Sequence, residues 1–286
     1  NNTAVGYSSL GANTTGADNT AVGQGALDAN TTASYNTAVG ANALGTNTTG
    51  TQNVASGVNS LQDNTTGSYN VASGVNSLQN NTTGANNVAM GQEALRLNTT
   101  GSANASIGYG CLDSNTTGNH NNALGYLALQ ANTTGEQNTA IGGTALYSNT
   151  TAINNTAVGY NSMGANTTGH SNVAVGKGAL DTNTTGAYNI AVGSAALDDN
   201  TTGGGDIAIG ANAMQTNTTG LDNTAVGTNC LRYNTTASNN TAFGSSALTA
   251  NTTGTGNTAV GRNAGNNITT GSNNIMIGNY AHSSAN

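Results

Sequence analysis

The side chains able to do chemistry are few and lie far apart. Three histidines (His120, His170, His282) and two cysteines (Cys111, Cys230) are the only imidazoles and thiols in 286 residues. Nucleophilic catalysis needs a Ser or Cys within reach of a base that an acid orients, and no such pattern surrounds any of the three histidines. Gly203-Gly204-Gly205 lacks the Lys-Ser/Thr of a phosphate-binding loop and is expected to be a turn. Asp181, Asp198 and Asp199 could recruit a cation, but no Asp-x-Asp-x-Asp-Gly loop surrounds them, and they are expected to be solvated surface acids. Asn-Thr-Thr occurs fifteen times, at Asn13, Asn30, Asn47, Asn64, Asn81, Asn98, Asn115, Asn132, Asn149, Asn166, Asn183, Asn200, Asn217, Asn234 and Asn251. Each is an acceptor sequence for an N-linked glycan. Each is equally suited to a stack of Asn side chains that bond their own turn and the Asn above and below. The sequence assigns no catalytic residue, metal ligand or cofactor, and the chain is expected not to be an enzyme.

These residues sit on a period of 17, unbroken from Asn2, Asn19 and Asn36 through Asp206 to Asn274. Residues 1–273 hold sixteen full units, and 274–286 form a partial one. The unit reads N-T-A-V-G-x-x-A-L-x-x-N-T-T-G-x-x. So short a period implies an all-β parallel solenoid, or β-roll, in which each coil covers the next. The Gly and Asn-Thr-Thr-Gly punctuation leaves no room for a helix. Two short strands and two or three tight turns are expected per coil. Seventeen coils at about 4.8 Å would make a rod of roughly 80 Å.

Composition narrows the function. Only 5% of residues are charged, Pro and Trp are absent, and the net charge is −7. An acidic chain of this kind does not suit nucleic acid. No run is long and apolar enough to insert in a membrane as a helix, and no signal peptide is visible. The chain begins at Asn1, one residue before a repeat, and is expected to be a segment of something longer.

Aligned by repeat position, the units report their own burial. Lys, Arg, Asp and Glu occur at positions 6, 7, 10, 11, 16 and 17, with Asp206 at position 1 the sole exception. Position 5 is Gly in every unit, as at Gly6, Gly23, Gly40, Gly142 and Gly159. There the backbone takes positive φ, or another segment comes close. The Gly of position 15 is looser, because Ala33, Ala152 and Ala237 replace it. Position 4 is mostly Val or Ile, and position 9 is Leu or Met in fifteen units. Position 3 is almost always Ala. Both faces of the strand at positions 2–4 are expected to be buried, with the Ala face against neighbouring chains or another layer of the roll. Cys111 and Cys230 replace Ala at position 8, seven coils apart. At roughly 33 Å they cannot pair within a chain, and they are expected to be packing residues, or else to bridge aligned chains. Tyr109 should stack on Tyr126, and Tyr160 should meet Lys177 as a cation–π pair. The unit from Ala264 to Ile268 breaks the pattern, as does Met276, and reads as a cap or a transition to another domain.

The segments NTAVGYSSL, NTAVGQGAL and NVAVGKGAL resemble repeats in the heads of trimeric autotransporter adhesins and, still more, the N-T-A-V-G-x-x-A-L…N-T-T-G repeats of phage tail-fibre shafts. The resemblance runs the length of the chain, with a longer period than the adhesin repeat and Thr often in place of its first apolar residue. It implies a left-handed β-roll of three chains about one axis. On that basis the expected function is a structural, extracellular shaft, on a virion or cell surface, holding a receptor-binding tip away from an anchor. Tip and anchor would lie outside this chain. The partners would be sister chains, as a trimer, and a surface glycan or receptor. Two alternatives remain open: a self-assembling filament, amyloid-like or glycosylated, and a solenoid that binds ice or glycans through its Thr and Asn columns.

Overall fold

The computed structural model describes residues 1–282. The chain forms two compact units, Asn1–Gly143 and Thr144–Asn286. Both are parallel β-solenoids with one coil per repeat, and the described residues contain no helix.

The first unit carries nine three-residue strands: β1 (Thr3–Val5), β2 (Thr20–Val22), β3 (Thr37–Val39), β4 (Val54–Ser56), β5 (Val71–Ser73), β6 (Val88–Met90), β7 (Ala105–Ile107), β8 (Asn122–Leu124) and β9 (Thr139–Ile141). The second carries eight: β10 (Thr156–Val158), β11 (Val173–Val175), β12 (Ile190–Val192), β13 (Ile207–Ile209), β14 (Thr224–Val226), β15 (Thr241–Phe243), β16 (Thr258–Val260) and β17 (Ile275–Ile277). Within each unit consecutive strands pair in parallel and in register, so that Ala4 faces Ala21 and Ala174 faces Ala191.

Each coil has one strand, not the two expected. The stretch around position 9 cannot be a strand because its large residue is left-handed: φ is 52° at Leu27, 51° at Leu44 and 56° at Leu180. Position 7, as at Asn42 (φ 56°), and position 17, as at Tyr35 (φ 63°), are left-handed too. A left-handed residue costs about 1–2 kcal/mol. Burying the whole Leu side chain contributes about 1.5–3 kcal/mol, and these leucines have no accessible surface, so packing offsets the strain. The backbone ladder continues through the turns, where Leu27 N–H donates to Ala43 O at 3.0 Å and Ala29 N–H to Gly45 O at 3.0 Å.

Only one face of the strand is buried, not both as expected. Position 3 points into the coil's own interior: Ala21, Ala38, Ala140 and Ala157 are fully buried. It packs against another layer of the roll and is not available to a sister chain. Positions 2 and 4 point outward. Val39 is 41% exposed, Ile141 39% and Phe243 43%. The alternation of the strand is as expected, but its apolar side is the outer one.

Candidate functional site: the Asn columns and the outer surface

Two columns of Asn run inside each unit. One is the expected column at position 12. Asn64 Nδ2 donates to Asn47 Oδ1 at 2.8 Å, and Asn81 Nδ2 to Asn64 Oδ1 at 2.8 Å. The other is position 1, where Asn36 N–H donates to Asn19 Oδ1 at 3.0 Å and Asn53 N–H to Asn36 Oδ1 at 3.0 Å. The two columns meet at the carbonyl of position 15. Gly67 O accepts from Asn53 Nδ2 at 2.9 Å and from Asn64 Nδ2 at 2.9 Å. Both lone pairs of that oxygen are used. This node explains why Asn persists at two positions 11 residues apart. A buried amide left without its partners would cost about 1–3 kcal/mol.

The same geometry bears on the glycan reading. From Asn30 to Asn251 the position 12 side chains are fully buried; only Asn13, in the first coil, is half-buried. An inward amide without accessible surface offers no acceptor on a folded coil. The Thr at position 13 is engaged as well, with Thr65 Oγ1 donating to Thr82 O at 3.0 Å. Its neighbour at position 14, such as Thr66, is exposed. One Thr rank per coil faces water, as expected.

The Gly at position 5 meets both conditions foreseen for it. Gly6, Gly23, Gly40, Gly142 and Gly159 have φ between 132° and 139°. A Cβ on Gly159 would stand 2.5 Å from the carbonyl oxygen of Gly176 in the next coil. The Gly at position 15, such as Gly50 or Gly67, has no positive φ.

Asp206 occupies the position 1 column. Its Oδ1 accepts from Asn223 N–H at 2.8 Å and Asn223 Nδ2 at 3.1 Å, and its Oδ2 from Asn217 Nδ2 at 3.0 Å. Oδ2 takes the place of an amide that in other coils donates to the position 15 carbonyl, so only a protonated carboxyl can replace that bond. Burial first, then Asp222, raises the Asp206 pKa from 3.8 to about 7, against the lowering effect of the Asn223 and Asn217 bonds. The folded chain therefore holds a proton that the unfolded chain has lost between these values. The stabilisation is complete below pH ~4 and is lost as pH rises through ~7. Its ceiling is on the order of 4 kcal/mol. Thermal melts should show a midpoint that falls across this window, and Asp206→Asn should flatten the fall and raise the midpoint at pH 8.

Both cysteines are fully buried, which removes the interchain bridge and leaves the packing role. The Cys230 thiol donates to Ala242 O at 3.2 Å, and burial pushes its pKa up to about 12; burial raises Cys111 in the same direction. His120 is exposed, His170 lies edge-on to Tyr188 at 5.0 Å, and His282 Nδ1 is 3.2 Å from Asn267 Oδ1. Among the described residues no three His, Cys, Asp or Glu side chains converge as a metal site. Tyr109 and Tyr126 stack at 5.6 Å with 13° between their planes. Tyr160 and Lys177 do not form the expected cation–π pair. Among the described residues the cation–π contacts are Arg232 on Tyr233 at 5.3 Å and Arg262 on Tyr280 at 5.6 Å. Arg96 forms an unforeseen two-bond pair with Asp113 one coil on, at 2.9 and 3.2 Å.

The break near the C-terminus is a compensated exchange. Gly265 takes the place of Leu, and the Met276 methyl group fills the space, 2.5 Å from where a Gly265 Cβ would stand. Ile268 takes the place of Asn, which leaves Asn251 Oδ1 buried without a hydrogen-bond partner. The position 12 column ends there.

A scan against protein-family models and a search of curated proteins find no match to this chain.

Proposed function

We propose that the chain is a non-enzymatic structural shaft whose copies associate, as a trimer, through the outward faces of their strands. It would act outside the cell, on a virion or cell surface, and space a receptor-binding tip from its anchor, as in the tail-fibre shafts and adhesin heads its repeats resemble. One observation carries this reading. Positions 2 and 4 face outward on all seventeen strands, and none of them holds a charge. Half-exposed Val, Ile, Leu and Met fill position 4 in most strands of the first unit, at Val22, Val39, Met90, Ile107, Leu124 and Ile141, with Ser56 and Ser73 between Val39 and Met90. In the other unit both outward positions contribute, with Val173 and Ile190 at position 2 and Val175, Ile209, Phe243 and Val260 at position 4. Soluble monomers rarely leave an apolar patch larger than roughly 300–600 Å² uncovered. Side chains of such mixed size, from Ser56 to Phe243, suit a protein partner better than the flat lattice of ice.

Native mass spectrometry and light scattering test the reading. Three chains per particle, constant over a hundredfold range of concentration, are the expected result. A single chain at every concentration overturns the shaft. Particles that grow with concentration replace it with the self-assembling filament.

A further inference from the structure

In the second unit the outer surface loses two side chains in succession. Position 7 is Asn at Asn42, Asn59, Asn76, Asn161, Asn212 and Asn229, but Gly178 and Ala195 hold it in consecutive coils. Where Asn follows Asn, the column bonds along itself, as Asn59 Nδ2 does to Asn76 Oδ1 at 3.2 Å. Gly178 gives Asn161 no such neighbour. The Asn161 amide turns instead to both oxygens of Asp181, at 2.7 Å each. The missing side chains leave a cleft of about 350 Å³, bordered by Tyr160, Asn161, Lys177, Asp181, Ser194 and Asp198. That volume lies within the roughly 300–1,000 Å³ of small-ligand sites.

The lining selects the chemistry of a ligand. Lys177 is the only lysine of the chain, and it forms no ion pair among the described residues. An ammonium at the rim disfavours a metal ion, and two carboxylates disfavour an anion. A neutral molecule with both donors and acceptors suits the mixture. Burial raises the pKa of Asp181, while burial, Asp199 and Asp181 raise that of Asp198. Asp181 already accepts from Asn161 and Gly164, and Asp198 from Gln215, and each carboxylate, with about four lone-pair sites, has room for one more donor. Tyr160, 62% exposed, adds an aromatic face at the rim.

We propose that the cleft binds one sugar ring of a glycan. Two neighbouring hydroxyls donate to Asp181 and Asp198, Lys177 donates to a ring or hydroxyl oxygen, and a C–H face of the sugar lies on Tyr160. The site occupies positions 6, 7 and 10, which carry the chain's charges and face water, so it does not compete with the outward face of the strands. The proposal does not depend on the chain being a shaft.

The repeat supplies its own control. Gly178 and Ala195 have φ of 61° and 52°, and Asn212 and Asn229 hold the same position at 54° and 56°. The double variant Gly178→Asn, Ala195→Asn therefore refills the cleft with residues the fold already accepts there. Saturation-transfer NMR on the full chain would use the methyl glycosides of glucose, galactose, mannose and N-acetylglucosamine, each at about 10 mM, in the range of weak single-site binding. Transfer to at least one glycoside is expected. It should fall at least tenfold in the refilled variant and in Tyr160→Ser, and persist in Tyr109→Ser, which lies outside the cleft. No transfer to any of the four, or equal transfer in the refilled variant, overturns the proposal. Neither result depends on the number of chains per particle, so the sugar site and the shaft can fail separately.

Discussion

Gly142→Val and Gly159→Val should each unfold the unit that contains the substitution at moderate denaturant, with a loss of about 3–5 kcal/mol. Two costs combine. φ is 132° at Gly142 and 137° at Gly159, a region other residues enter only at about 1–3 kcal/mol. A Cβ on Gly159 also stands 2.5 Å from Gly176 O, and the strand register that places this oxygen cannot relax without breaking the ladder. The neighbouring position is the comparison. Gln24 is exposed, and Gln24→Val should cost no more than about 0.5 kcal/mol. Urea unfolding followed by circular dichroism measures both. Equal losses at the two positions would show that the position 5 Gly is not what shapes the coil.

The columns explain why much of this architecture is legible in the sequence. Gly at position 5 is invariant because conformation and close approach both require it, and nothing else satisfies both. Apart from Asp206, charged residue types are confined to positions 6, 7, 10, 11, 16 and 17, windows that border water, and even the small-residue columns between them obey the rule. Asn at position 1 carried an equally strong signal, with Asp206 the only departure in seventeen units. Its structural role depends on where the position 15 carbonyl lies, which no local pattern specifies. The left-handed Leu at position 9 was hidden for the opposite reason. Leu disfavours that conformation by itself, and only burial in the coil stabilises it. The cleft beside Lys177 could be sought in the sequence as two small residues in one column. The turn of Asn161 toward Asp181 that accompanies it needs three-dimensional placement.

The orientation of the strand was the least legible feature, because alternation separates two faces without saying which is inside. Large apolar side chains suggest a core, but a 17-residue coil that already encloses Leu and two Asn columns has room at position 3 for little more than a methyl group. A pair of adjacent substitutions separates the faces. Ala140 is fully buried, so Ala140→Lys forces an ammonium into the coil with no acidic partner. Such a charge costs several kcal/mol, and the first unit should not fold. Ile141 is 39% exposed, and Ile141→Lys places its ammonium in water. A single chain should keep its dichroism spectrum and melt within a few degrees of the parent. If copies associate as proposed, Ile141→Lys should lose that association, since a charge at the centre of the shared apolar face would meet the same charge on each sister chain. Circular dichroism reads the fold and sedimentation velocity reads the mass. An Ala140→Lys chain that folds and assembles would place position 3 on the outside. An Ile141→Lys chain that remains trimeric would show that copies join through some other surface, and the uncharged outer column would then need a different partner.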